Sequence, residues 1–271
     1  MNRGIILMGL ALALIVSGRA GARAVVAMGC HELIETLLFD PVKDRREDTA
    51  EGLGSKGCEA GISALIDTAF HDPSREVRTT AVWALEDLDT PAARGGLLRL
   101  VESAGAGGAA RLEAFRALAK LDPARLDESL GPAMVDYRQH APALGLALVE
   151  RVGAQERTEL GDTMVFVALD RTVEARVRLA ALGAAERLEH PRSYEAHLAL
   201  LDSSDRGVRA RCLEGLARVG GPSSELGPVL ERIAASDPSG ELRGKAMAAL
   251  ALHAHPGLLE TVHRALVHEK N

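Results

Sequence analysis

From about residue 31 onward, apolar residues recur every three or four positions and not every second one, the spacing of helices that bury one flank. The clearest stretch is 72–88, DPSREVRTTAVWALEDL, where Val77, Ala81, Val82, Ala84, Leu85 and Leu88 form one stripe. Asp72 can accept a hydrogen bond from an unpaired N–H at a helix start, and Pro73 at the first helical position loses none. The pattern therefore predicts a helix capped by Asp72.

Relatives of this stretch return along the chain. Setting Val77-Arg78 against Ala110-Arg111, Ala141-Pro142, Val177-Arg178, Val208-Arg209 and Leu242-Arg243 gives steps of 33, 31, 36, 31 and 34 residues. Four residues on stands a small column: Ala81, Ala114, Gly145, Ala181, Cys212 and Ala246. An apolar column follows it, Val82, Phe115, Leu146, Leu182, Leu213 and Met247. A second holds Leu85, Leu118, Val149, Ala185, Leu216 and Leu250. Small residues where helices cross closely and apolar ones beside them are what a stack of similar helices needs.

A unit of this length holding two helices, with Asp-Pro at the turn and V-R-x-x-A-φ-x-A-L inside the second, resembles the HEAT-like repeat. It is similar to the short bacterial form also found in the phycobilisome-lyase group. The resemblance covers residues 31–269. It implies an all-α fold, an α-solenoid of about seven stacked two-helix repeats with a C-terminal capping helix, whose second helices line the concave side. Such arrays serve many unrelated binding tasks, so the fold does not name a function.

On this register the repeats fall at 31–56, 59–88, 92–121, 126–152, 158–188, 193–219 and 224–253, with a last helix over 257–267. The second helix of the first repeat is unusually polar, as a terminal cap requires. Pro132 and Pro142 make the fourth repeat irregular, with helices expected to start late or kink.

Composition agrees with stacked thin helices. The 271 residues are 47% hydrophobic but only 3% aromatic, so the core is built of Ala and Leu. The formal charge of −6 opposes nonspecific binding to nucleic acid or to an anionic membrane surface. It also disfavours a HEAT-like DNA-binding protein or glycosylase.

The amino terminus stands apart. Arg3, the uncharged and mainly apolar run from Ile5 to Val16, and Ala20-Gly21-Ala22 together read as an export signal. The organisation expected is a signal peptide over 1–22, a short linker over 23–30 and the solenoid over 31–271. The destination is periplasmic or extracellular. An alternative uses Ala27-Met28-Gly29-Cys30 as a lipoprotein box with lipid on Cys30; an uncleaved signal is a third form. Either would be the only link to a membrane. Cys30 and Cys58 open the first helices of neighbouring repeats, where an exported protein can pair them in a disulfide, which excludes lipidation of Cys30.

No catalytic constellation, cofactor motif or metal site emerges. His253, His255, His263 and His268 lack the i, i+4 spacing with a neighbouring acid that a zinc enzyme shows. The dyads His31-Glu32 and His268-Glu269 are similar to those of the HEAT-like deoxyhypusine hydroxylases, but two dyads at opposite ends do not make that iron site. Cys212 falls in the small buried column and reads as a core thiol. The repeated Arg78, Arg111, Arg178, Arg209 and Arg243 lie near Asp72, Asp205 and Asp237 and read as ties between second helices and neighbouring turns.

The outward face of the second helices remains. Trp83 points away from the buried arc, with Arg116 at its position in the next repeat, and four residues further along run Asp87, Lys120, Arg151, Arg187, Arg218 and Leu252. An acidic protein thus carries a basic row along one face. The expected function is that of an exported, non-enzymatic scaffold binding a protein partner, an acidic or extended segment, through Trp83, Arg116, Lys120, Arg151, Arg187 and Arg218. The alternative is a chromophore lyase or chaperone of the phycobilisome-lyase kind.

Overall fold

The computed structural model describes residues 28–219 and 223–252. The signal stretch 1–22, the later histidines and the expected helix 257–267 lie outside the described residues. Within them the chain forms fourteen α-helices and no strand. They come as seven pairs: α1 (Cys30–Phe39) with α2 (Lys43–Ser55), α3 (Ile62–His71) with α4 (Arg75–Leu88), α5 (Pro91–Glu102) with α6 (Gly108–Leu121), and α7 (Pro123–Met134) with α8 (Pro142–Ala154). Then follow α9 (Gly161–Leu169) with α10 (Ala175–Arg187), α11 (Ser193–Leu200) with α12 (Arg206–Val219), and α13 (Ser223–Ser236) with α14 (Gly240–Leu252).

The chain divides into two compact units, one ending at Leu144 and one starting at Gly145, with the boundary inside α8. In the first unit the first helices α1, α3, α5 and α7 pack in sequence as one layer, and the second helices α2, α4 and α6 form the other. In the second unit α9 packs on α11, while α10, α12 and α14 form a row. Each unit is a short α-solenoid. Its core is the pair of columns read from the sequence: Ala81, Ala114, Ala181, Cys212 and Ala246 are buried, as are Leu85, Leu118, Val149, Ala185, Leu216 and Leu250.

One helix start differs from expectation. Helix α4 is capped by Ser74, whose hydroxyl accepts the Val77 N–H, and not by Asp72. Asp72 has other work: its carboxylate accepts the Ser74 N–H at 2.8 Å and the Arg46 guanidinium at 2.7 and 3.1 Å. The prolines of the fourth repeat also sort differently. Helix α7 starts early, with Pro123 at its first position and Asp122 as cap, and carries Pro132 inside; α8 begins at Pro142.

Turns repeat as faithfully as helices. At six of the seven, an Asp or Ser side-chain oxygen accepts the N–H two residues on: Asp40 to Val42, Asp72 to Ser74, Ser103 to Gly105, Asp170 to Thr172, Ser203 to Asp205 and Asp237 to Ser239. The Arg six residues beyond the turn residue donates back to its carbonyl, as Arg46 does to Asp40, Arg78 to Asp72, Arg209 to Ser203 and Arg243 to Asp237. Two turns are longer by two residues, and there Arg111 and Arg178 reach the carbonyls of Val101 and Ala168.

The same guanidinium also reaches forward to the next turn where that turn supplies an acid. Arg46 binds the Asp72 carboxylate and Arg209 that of Asp237, both pairs largely buried. Burial pushes Asp237 up, but the Arg209 guanidinium and the Ser239 N–H hold it below the usual carboxylate range. The arginine column is therefore a structural ladder, though Asp205 is no rung of it; Asp205 accepts the Val208 N–H at the start of its own helix.

Candidate functional site

The second helices leave one flank to solvent, and the residues singled out from the sequence lie on it. Trp83 on α4 is 50% exposed. Arg116 on α6 is exposed and pairs with Glu113 of its own helix at 2.7 Å. Lys120, one turn further, reaches back to Glu86 of α4, also at 2.7 Å. That bond joins consecutive second helices and raises the Lys120 ammonium above its ordinary value. In the first unit the basic residues are thus already matched with acids beside the indole.

In the second unit the flank is built around Glu186 of α10, which is nearly buried. One carboxylate oxygen accepts from Arg211 and from Arg218 of α12, each at 2.7 Å. The other lies 2.7 Å from the His197 ring of α11, without the alignment of a hydrogen bond. His197 is wholly buried, and a side chain at Gly215 would collide with its ring at 2.0 Å, so this glycine makes room for the histidine. Burial alone would raise Glu186; the adjoining His197 and Arg211 reverse that and hold it at about 2. The acid is therefore ionised and acts as a clamp between three helices.

Arg187 is exposed and makes no ion pair among the described residues. Its guanidinium lies over Gly153 of α8, where a Cβ would come within 2.4 Å of it. Arg151, on the same helix as that glycine, is half-buried and has partners of its own. In the last repeat the row holds Leu252 and no base, but Lys245 of α14 binds Glu214 of α12 at 2.6 Å.

A family profile described as HEAT repeats matches residues 31–119 and 165–251. The chain belongs to the HEAT-repeat family. No curated protein matches it. Among solved structures it is similar to the complex of CpcE and CpcF of phycocyanin lyase from Nostoc sp. PCC7120, at 22% identity and a TM-score of 0.35, covering 88% of this chain and 94% of that one.

What the sequence reading missed in these HEAT repeats are the acids Glu86 and Glu186 of the flank, together with Arg211 and Lys245; Glu214 falls at the Trp83 position of its repeat, but its pairing with Lys245 was not foreseen. The signal was present. Each acid stands 25 to 34 residues before the bases it binds, on the preceding repeat and out of their column. Counting the bases by column alone passes over such offset partners. Arg46 was missed likewise, because the polar second helix of the first repeat fell outside the aligned set.

The remaining candidate chemistry is sealed. Burial pushes the Cys212 thiol up to about 12, far from a reactive thiolate. Burial and the adjoining Arg111 lower His140 to about 4, so it stays neutral beside that guanidinium at 3.1 Å. Among the described residues no group of three His, Cys, Asp or Glu side chains is arranged to hold a metal ion, and no helix is long and apolar enough to cross a membrane.

Cys30 and Cys58 form a disulfide with Cα atoms 5.7 Å apart. Stacked helices alone would hold equivalent positions roughly 9–10 Å apart, too far to bridge. Cys58 immediately precedes a short 3-10 turn (Glu59–Gly61) and does not lie in the helix, which brings it within reach of the start of α1.

Proposed function

We propose that this HEAT-repeat protein is an exported, non-enzymatic adaptor that binds another protein through the exposed flank of its second helices. The observation that carries the reading is Trp83, the chain's single tryptophan, half exposed on a flank where Arg116, Lys120 and Arg218 are ion-paired. An indole left in water beside a satisfied polar rim is the arrangement of a binding hot spot, where apolar area supplies affinity and the rim excludes water. The buried thiol of Cys212 and the enclosed His197 support the non-enzymatic part. Arg187, without an ion-pair partner among the described residues, supplies the positive charge an acidic or extended segment would meet in the second unit.

Export is supported by the Cys30–Cys58 bond, since disulfides persist in oxidising compartments. The same bond occupies the sulfur a lipoprotein would need for its lipid. In this reading the chain is cleaved after Ala22, giving Arg23 as the mature amino terminus.

The test is capture of the native partner from the envelope fraction, followed by binding measurements with variants. Trp83→Ala should weaken binding at least about tenfold, independently of salt. Arg187→Glu should weaken it less, with an effect that fades as salt rises. A partner bound equally tightly by Trp83→Ala would place the interface elsewhere. Full-length reduced protein recovered from the cytoplasm would contradict export.

A further inference from the structure

Two rungs of the turn ladder carry a serine in place of the acid, and at one of them the arginine facing it is buried. At Asp72 and at Asp237 a single carboxylate accepts the N–H two residues on, at 2.8 Å in both turns, and takes both arms of the preceding arginine. Arg46 donates Nε at 2.7 Å and Nη2 at 3.1 Å, and Arg209 does so at 2.9 and 3.2 Å. Ser203 occupies the same place in its turn. Its hydroxyl still accepts the Asp205 N–H at 3.2 Å, so the local turn survives, but it brings no charge to the arginine facing it.

That arginine is Arg178, only 8% exposed. Its Nε donates to the Ala168 carbonyl at 2.9 Å, while its two Nη groups have no partner among the described residues. These two Nη groups meet solvent only through the cavity they line, and their planar fork matches a carboxylate. Arg178 lines a cavity of about 260 Å³ with Arg171, Leu200, Asp202, Ser203 and Ser204; cavities of about 290 and 260 Å³ also lie at the Asp72 and Asp237 turns, but there the arginine is already paired with the acid. Asp202, the acid on this wall, is engaged by Arg232 at 3.0 Å. The other serine rung differs: Arg78 is less buried, and its Nη1 donates to two carbonyls of its own turn.

We propose that the Arg178 cavity is a carboxylate-binding site, in which an external carboxylate takes the position that Asp72 and Asp237 fill in their own turns. Arg178 binds it with its two Nη groups, Arg171 supplies a second positive charge at the rim, and the hydroxyls of Ser203 and Ser204 donate from the turn. A small free carboxylate and an acidic side chain of a bound peptide share this chemistry. The site stands whether or not Trp83 meets a partner.

The test titrates the purified protein with acetate and, separately, with a capped tri-glutamate peptide, against chloride at equal ionic strength. The readout is the Nε–Hε resonance of Arg178, assigned by its disappearance in Arg178→Lys. A saturable shift with acetate, or with the peptide alone, supports the site and distinguishes the two sources. Ser203→Asp, which supplies the carboxylate internally, should weaken the probe by about tenfold or more; Arg178→Lys should do the same, read as loss of the probe's stabilisation of the fold. Absence of a saturable shift with either probe, or a shift that persists undiminished in Ser203→Asp, overturns the proposal.

Discussion

The interface where Arg209 meets Asp237 and the one where Arg178 faces Ser203 are built on the same plan. Both join a second helix to the following turn, and both keep a side-chain oxygen that accepts the N–H two residues on. In one the oxygen belongs to a carboxylate, and the guanidinium is neutralised where it is buried. In the other it belongs to a hydroxyl, and the guanidinium faces a cavity without a carboxylate to pair with, whereas the cavity of like size beside Arg209 is lined by Asp237 itself. Local turn chemistry and cross-repeat electrostatics are thus separable in this array: a serine satisfies the first and abandons the second.

The comparison breaks most severely if the stack carrying both interfaces is lost. Helix α12 packs between α10 and α14, and Leu216 is wholly buried in it. Leu216→Asp should destabilise by about 4 kcal/mol or more in denaturant unfolding, because an unpaired carboxylate is forced among apolar neighbours. Glu214→Ala, on the same helix, removes only an exposed pair with Lys245 and should cost under about 1 kcal/mol. Equal midpoints for the two variants would show the register to be wrong.

Next in size is the acid itself. Asp237→Ala leaves Arg209 buried and unpaired and should cost about 3 kcal/mol, whereas Ser203→Ala forfeits one turn hydrogen bond and should cost about 1 kcal/mol or less. Comparable losses for both would erase the distinction between the interfaces.

The acid limb of the stability profile sharpens it further. Glu186 is held at about 2 against an ordinary value of 4.5, so its contribution is complete above pH 4.5 and is lost as pH falls toward 2. The loss is about 3 kcal/mol, read from urea midpoints across that window. In Glu186→Gln, less stable at neutral pH, this part of the acid limb should be missing.

Much of the fold is legible in the sequence because it rests on short-range periodicity. The columns headed by Ala81 and Leu85 are buried down the array, and the seven helix pairs lie close to where the repeat places them. The helix start at Asp72 was not legible, since a residue of capping type beside a proline reads the same whether it caps its own helix or serves a neighbour 26 residues away. The flank shows the same limit. Arg218 looks like a solvent-facing base until Glu186, one repeat back, is placed beside it. Long side chains meet across repeats by geometry that a column count does not contain, and the basic row is in large part a line of ion pairs for that reason.

The claim that Arg178 lacks the carboxylate that Arg46 and Arg209 meet is tested most directly by the thermal midpoint of Ser203→Asp against Ser203→Asn. Both keep an oxygen that can accept the Asp205 N–H, but only aspartate restores the charge facing Arg178. The account predicts that Ser203→Asp unfolds at a higher temperature than the unmodified protein, by a stabilisation on the order of 1–2 kcal/mol, while Ser203→Asn stays near it. A midpoint for Ser203→Asp at or below that of Ser203→Asn would contradict the account.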